Sequence, residues 1–192
     1  MSIVIPWIMV ACWVVFILYW VISAFGVKRD VRTSPWRRWW WLRIAAICIV
    51  FGWLWGTSRW GKALHYVGFF SGPTREILAP IGALLTILGI GIAIWARVHL
   101  GRNWSPVPTL KEEHELVTSG PYKLIRHPIY TGILLAAFGS AIVTPTWLIV
   151  FVIILVMFVW RVHVEERLML QQFPTQYPEY KKRTWALIPY VW

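Results

Sequence analysis

A chain of 192 residues that is 58% hydrophobic and only 14% charged has too little charge for an ordinary soluble domain, where about a quarter of residues are charged. Its mean hydropathy of +0.60 and its 16 tryptophans describe several membrane spans with short connections, the indoles suiting the belt where hydrocarbon meets water. The net charge of +11 does not indicate nucleic acid, because the basic residues punctuate apolar runs and form no stripe on a soluble face; attraction to anionic lipid accounts for it.

The first apolar run, Ile3 to Gly26, holds no charge. At about 1.5 Å per residue it crosses a hydrocarbon core of roughly 30 Å. It is too long, and its start too uncharged, for a cleaved signal peptide, so it reads as a retained span. Trp36, Trp39, Trp40 and Trp41 cluster beside basic residues where a second span, Trp39 to Trp55, meets the headgroups, with Arg43 snorkelling at its entrance. A third span, Ile77 to Ala96, leads into Arg97 and His99. The run from Ile129 to Trp160 is too long for one span, and Thr144-Pro145-Thr146 interrupts it. An interior proline breaks or kinks a helix, so two antiparallel helices joined by a tight turn are expected, each half short enough to borrow residues from its flanks. After Glu166 the segment Arg167 to Phe173 continues as helix, and Pro174 and Pro178 then break it. In the tail, Tyr177, Tyr180 and Trp185 alternate with Lys181, Lys182 and Arg183, a pattern for a segment that lies on the membrane surface or folds back over a site.

Basic residues concentrate on alternate connections: Lys28 to Arg38, then Arg97 to Arg126, then the tail from Arg161. The loop between spans 2 and 3 has fewer, and the Pro145 turn has none. That alternation predicts five spans with the N-terminus outside and the C-terminus in the cytoplasm. The expected fold is an all-α integral membrane protein of five transmembrane helices, the last two a hairpin, with a cytoplasmic cofactor pocket and a C-terminal interfacial helix. One membrane domain covers residues 1–192, with a three-span scaffold over 1–99 and the chemistry in 100–192. Cys12 and Cys48 lie inside apolar runs and form no CxxC pair, so both read as packing residues.

No GxSxG, HExxH or P-loop occurs, and Gly89-Ile90-Gly91 lies within a span as a helix-packing feature. The histidines at 65, 99, 114, 127 and 163 lack a compact metal spacing, so no metal site is expected. Three groups of residues remain. The first is His114-Glu115-Leu116-Val117. The second is Gly120 to Tyr130, where Gly120-Pro121 favours a turn and Pro128 suits the first position of a helix. That helix start is expected to expose unpaired N–H groups able to hold an anionic group such as a carboxylate. The third is Arg161 with Glu165 and Glu166, where the four-residue spacing puts Arg161 and Glu165 on one helical face. Each group also has a plain structural role. Arg126 and His127 could anchor a helix end, Tyr122 and Tyr130 could be belt aromatics, and an exposed Arg161–Glu165 pair is worth only about 0.2–0.5 kcal/mol. Convergence separates them from that reading: all three reach one membrane face, and the hairpin brings the start of span 4 beside the end of span 5.

In this order, His-x-Leu-Val at 114–117, Gly-x-Tyr at 120–122, Arg-His-Pro-x-Tyr at 126–130, a helical hairpin, Glu165-Glu166 and a Tyr-x-x-Tyr tail resemble the isoprenylcysteine carboxyl methyltransferases. The wider group includes phospholipid N-methyltransferases and other small integral-membrane methyltransferases. The resemblance covers Leu100 to Trp192 and is only architectural over residues 1–99. It implies S-adenosylmethionine as methyl donor, in a pocket lined by His114, Glu115, Leu116 and Val117, continued by Tyr122, His127, Pro128, Ile129 and Tyr130, and closed by Glu165. It also implies that Arg161 and Glu165 are the catalytic pair, with Arg161 on the substrate carboxylate. Where the family often has a polar residue upstream of the histidine, this chain has Pro106-Val107-Pro108. The acceptor implied is lipophilic, a prenylcysteine-like carboxylate or prenylated protein reached through membrane lipid. A phospholipid or small-molecule acceptor is the alternative, and an amine would need Glu165 or Glu166 as base. A sterol-reductase-type enzyme using NADPH resembles the same C-terminal architecture. Short loops without extra basic residues for a 2′-phosphate count against it. A non-enzymatic protein on the same scaffold is the remaining alternative.

Overall fold

The computed structural model describes residues 4–23, 73–101, 104 and 116–192. The second predicted span, Trp39 to Trp55, lies outside the described residues, as do His114, Glu115, Cys48, His65 and the Pro106–Pro108 stretch. The elements are α1 (Val4–Ser23), α2 (Pro73–Leu100), a 3-10 turn (Gly120–Lys123), α3 (Pro128–Val143), α4 (Trp147–Gln172) and α5 (Gln176–Lys182). Among the described residues there is no strand, only an isolated parallel bridge between Ile125 and Trp185.

Local chemistry sets these boundaries. α2 opens on Pro73 with Glu76 in its first turn and carries Arg97 and His99 in its last, the charge order that complements the helix dipole. Gly101, at φ +54°, then takes the left-handed conformation that ends a helix. Pro128 opens α3, and the chain turns at Pro145, where Trp147 N–H donates to Thr144 O and Leu148 N–H to Pro145 O, both at 2.9 Å. The hairpin therefore forms where the sequence places it, but its halves are unequal. α3 has 16 residues, about 24 Å, and gains only Pro128 from its flank. α4 has 26 residues, about 39 Å, and outruns a hydrocarbon core of roughly 30 Å, so its C-terminal turns stand at or beyond the interface. Pro178 also departs from expectation. It sits in the first turn of α5, where its missing N–H has no helical partner to lose, rather than breaking a helix.

Small residues dominate the contact between α2 and α3. A Cβ added at Gly82 would lie 2.6 Å from Gly139 O, and one at Gly89 would lie 2.5 Å from Gly132 O. Backbones can approach this closely only without side chains, and in lipid such packing and weak Cα–H···O contacts replace the hydrophobic effect as the cohesive force. The contacts run in opposite sequence order, so α2 and α3 are antiparallel. The buried Thr86 hydroxyl donates to Gly82 O at 2.9 Å and Ser140 to Ala136 O at 2.8 Å, so neither polar group is left bare. α1 lies along α2 in the same direction. Met9 packs on Ala83 and Val143, Trp13 Nε1 donates to Ser140 Oγ at 3.1 Å, and Ser23 O accepts from Arg97. The starts of α3 and α5 and the ends of α1, α2 and α4 thus gather at one end of the bundle. Glu76–Leu100 and Trp147–Gln172 are long and apolar enough to cross a membrane, while α3 and the Trp7–Ser23 part of α1 are apolar but shorter. Large apolar side chains such as Val14, Leu18, Val152 and Val156 stand exposed on α1 and α4, an outer face that suits hydrocarbon rather than water.

Candidate active site

The site is built where Gly120 to Tyr130, the end of α4 and the tail after α5 meet. Gly120 is obligatory twice over: its φ is +58°, and a Cβ would lie 2.6 Å from the His99 ring, which is itself held 2.8 Å from Ser119 Oγ. Tyr122, buried in the following turn, donates its hydroxyl to Ala96 O at 3.3 Å, and its own carbonyl accepts from the Tyr180 hydroxyl at 2.6 Å. Burial, with Tyr180 and Glu165 nearby, pushes the Tyr122 phenol well above its ordinary range, so it remains a neutral donor. These bonds fasten the turn to α2 on one side and α5 on the other.

The tail then pairs with this segment. Arg126 N–H donates to Trp185 O at 2.8 Å and His127 N–H to Ala186 O at 3.1 Å, while Trp185 N–H donates to Leu124 O at 3.1 Å. Thr131 Oγ1 adds a bond to Leu187 O at 2.6 Å. Ala186 and Leu187 are buried against Leu134 and Val162, between α3 and α4. The expected row of unpaired N–H groups at the start of α3 is shortened: the tail carbonyls have taken those of Arg126 and His127, and the Tyr130 N–H is turned inward to His127 O at 3.0 Å.

Glu165 and Glu166 organise the side chains. Glu165 Oε1 accepts from the Tyr130 hydroxyl at 2.5 Å and from Arg161 Nε at 2.8 Å, and Oε2 lies 3.4 Å from His127 Nδ1. His127 and Tyr130 stack nearly parallel at 5.5 Å, Phe158 stacks behind Tyr130 at 4.4 Å, and the Arg161 guanidinium sits 5.6 Å from the Tyr130 ring centre. Glu166 has a separate set of partners, with Arg126 Nε on Oε1 at 2.7 Å and Lys181 Nζ on Oε2 at 2.6 Å. Arg126 also donates to Thr184 O. His127 Nε2 is 3.9 Å from Glu166 Oε1, too far for a hydrogen bond, and is buried without a partner among the described residues. Burial lowers the affinity of His127 for its second proton, but Glu165 and Glu166 outweigh that and hold its pKa above the ordinary 6.5. Three permanent cations and a histidine thus surround two carboxylates, and the cluster is net positive in either state of the histidine.

Of the residues singled out from the sequence, Val117, Tyr122, Ile129 and Tyr130 share one apolar cluster around Ala96. Pro128 is fully buried at the head of α3, and Leu116 is half-buried. His127, Tyr130, Arg161 and Glu165 converge on one another as described. From the sequence, Arg126 belongs to the Gly120–Tyr130 group and Glu166 to the Arg161 group, with a base role only for an amine acceptor, while Lys181 carries no site role. One signal was present: Glu166 is rotated about 100° from Glu165 on the same helix, so it needed a cation of its own.

Chemically, this arrangement favours binding over proton abstraction. Both carboxylates are engaged by cations, Glu165 by Arg161 and Glu166 by Arg126 and Lys181. Arg161 holds Glu165 through Nε, so its two terminal nitrogens are not taken up by that carboxylate. That leaves a planar fork free to engage a carboxylate in a two-pronged contact.

The family model described as phospholipid methyltransferase matches residues 78–176. A protein-S-isoprenylcysteine O-methyltransferase of Saccharomyces cerevisiae is 34% identical over 60% of this chain and 51% of its own length. Protein-S-isoprenylcysteine O-methyltransferase B of Arabidopsis thaliana is 32% identical over 68% of this chain and 71% of its own. The chain thus spans about half of the yeast relative and nearly three quarters of the plant one. Among solved structures, a eukaryotic intramembrane Ras methyltransferase, isoprenylcysteine carboxyl methyltransferase, shares the fold with a TM-score of 0.55 at 23% identity, over 84% of this chain and 55% of that one.

Proposed function

The chain belongs to the isoprenylcysteine carboxyl methyltransferase family, within the reach of the phospholipid methyltransferase model, and from that premise we propose that it methylates a carboxylate on a lipophilic, prenylcysteine-like acceptor. The observation that carries the reading is the Arg161 fork, held on Glu165 through Nε, in a cluster that has a net positive charge and whose carboxylates both carry cations. A carboxylate acceptor is already a nucleophile and needs orientation only; an amine acceptor needs a base, and Glu165 and Glu166 are both engaged. The phospholipid alternative is weaker for that reason.

The Nε2 of His127, buried without a partner among the described residues, supports a cofactor at this place. His114 to Val117, Tyr122, and His127 to Tyr130 would hold it, with Glu165 closing the pocket. Tyr122 contributes a wall rather than a bond, since its hydroxyl and carbonyl are already used. S-adenosylmethionine, when bound there, supplies a methyl carbon on a sulfonium. An acceptor carboxylate held in line by Arg161 would meet that methyl carbon, and such an acceptor would need no proton removed. What the chain contributes is alignment by Arg161 and exclusion of water by the Phe158–Tyr130–His127 stack.

The reading includes one membrane domain of five spans with the N-terminus outside and the site facing the cytoplasm. It is supported by α1 and α2 running the same way and by the excess of basic residues at the end of the bundle where the site lies. The lipid-soluble acceptor would then enter from the bilayer and the cofactor from water. Tritiated-methyl transfer from S-adenosylmethionine to N-acetyl-farnesylcysteine, in parallel with phosphatidylethanolamine, tests the acceptor. Label on the prenylcysteine is expected, and label on the phospholipid alone would overturn it. Calorimetry of the detergent-solubilised chain should give a binding isotherm with S-adenosylhomocysteine, whereas binding of NADPH alone would sink the whole class.

A further inference from the structure

Successive residues of α4, Glu165 and Glu166, flank the two nitrogens of one imidazole, yet one stands nearer than the other. Glu165 Oε2 lies 3.4 Å from Nδ1, while Glu166 Oε1 stops 3.9 Å from Nε2. The oxygen that faces Nε2 is the one held by Arg126 Nε at 2.7 Å, and its twin is held by Lys181 Nζ at 2.6 Å. Arg126 is fixed in turn by Thr184 O, and its own N–H by Trp185 O. We propose that Arg126 and Lys181 are positioning residues that hold Glu166 off the His127 ring, keeping Nε2 open to a hydroxyl of a bound nucleoside ligand.

The inference rests on the cofactor reading of this site and deepens it. The His127 side chain is only 10% exposed, and folded proteins seldom leave a buried polar nitrogen bare unless a ligand, ion or water completes it. A carboxylate on the next helix is the natural partner, so its being held away by two cations calls for a physical reason. With Nδ1–H directed at Glu165, Nε2 is a lone pair in the neutral ring and a second N–H in the charged ring. A hydroxyl serves either state because it both donates and accepts. The ribose of the nucleoside is the part of S-adenosylmethionine that carries such groups.

The test is calorimetry with S-adenosylhomocysteine on the full-length chain in detergent. R126A frees Glu166 to close on Nε2, and affinity should fall about tenfold or more, the scale of one charge-assisted hydrogen bond. R126K, which keeps a cation on Glu166, should stay within about threefold of the wild type. The double variant R126A/E166Q removes the charge that would capture the imidazole and should recover most of the lost affinity. A purely structural brace predicts the opposite, a double variant as weak as R126A or weaker, and that result would overturn the proposal. Should R126A fail to fold, K181A and K181A/E166Q decide the matter, since the Lys181 side chain is 47% exposed and its loss is mild. Wild-type affinity in R126A would overturn this inference alone; absence of S-adenosylhomocysteine binding by the wild type would overturn the cofactor reading with it.

Discussion

Glu165 gathers a phenol, a guanidinium and an imidazole onto one carboxylate, which separates the tasks of its neighbours. Arg161 can lose its side chain without unfastening His127 or Tyr130 from Glu165. Arg161→Ala should therefore cut methyl transfer to a carboxylate acceptor by about 100-fold, the cost of a lost bidentate charge pair, while S-adenosylhomocysteine affinity changes by less than about threefold. Loss of both would remove Arg161 from the acceptor. His127 makes a pH signature. Because its folded pKa is raised above 6.5, the stabilisation it gives is fully present below pH 6.5 and is lost as pH rises through the raised value. Thermal midpoints followed from about pH 6 to about pH 9 should decline in the wild type, and that decline should flatten in His127→Gln. An identical slope in both would assign the dependence elsewhere. The Arg161–Glu165 contact was legible in the sequence because four residues make one helical turn. The Glu166–Lys181 contact was not, since its partners are 15 residues apart across a helix end and no local period links them.

At the level of helices, the glycines sort themselves by what stands opposite. A Cβ at Gly89 would meet the Ala136 backbone nitrogen at 2.4 Å, whereas one at Gly91 would meet nothing within 4 Å. Gly89→Ala must push α2 and α3 apart and should cost about 1–3 kcal/mol or more, because the obstacle is backbone and cannot rotate away. Gly91→Ala should instead gain up to about 1 kcal/mol of helix propensity. Thermal unfolding followed by fluorescence-detected gel filtration would compare them; equal midpoints would mean that α2 and α3 do not pack as described. The sequence suggested both Gly89 and Gly91 as packing residues, of which only Gly89 meets α3, and left Gly82, Gly132 and Gly139 unremarked, although each pair on a helix is seven residues apart. It located the hairpin because Pro145 allows little else. The continuation of α4 past Arg161 was legible as well, since no breaker stands before Pro174, and the helix ends at Gln172.

For the molecule as a whole, the proposed orientation separates two turns. Lys182→Cys, next to the site, should be labelled by a membrane-impermeant maleimide only in opened cells. Thr146→Cys, in the hairpin turn, should be labelled in intact ones, both in a background with Cys12 and Cys48 replaced by alanine. The reverse pattern would invert the protein. The all-helical scaffold and the gathering of polar residues at one end could be read from charge and hydropathy. A tail folded back over the site was one of the two placements its aromatic and basic pattern allowed, but its pairing through Trp185 and Ala186 to Leu124, Arg126 and His127 was not legible, because backbone bonds leave no mark on side-chain identity. That closure gives the protein an order of assembly in time. Arg126 leaves the ribosome 58 residues ahead of Thr184, about 3–12 s at ordinary rates of synthesis. In that interval the hairpin can already be in the bilayer while the Arg126 and His127 N–H groups have only water or lipid headgroups to bind. The proposed pocket would be completed only when the tail emerges, so a nascent chain can insert before that wall is closed.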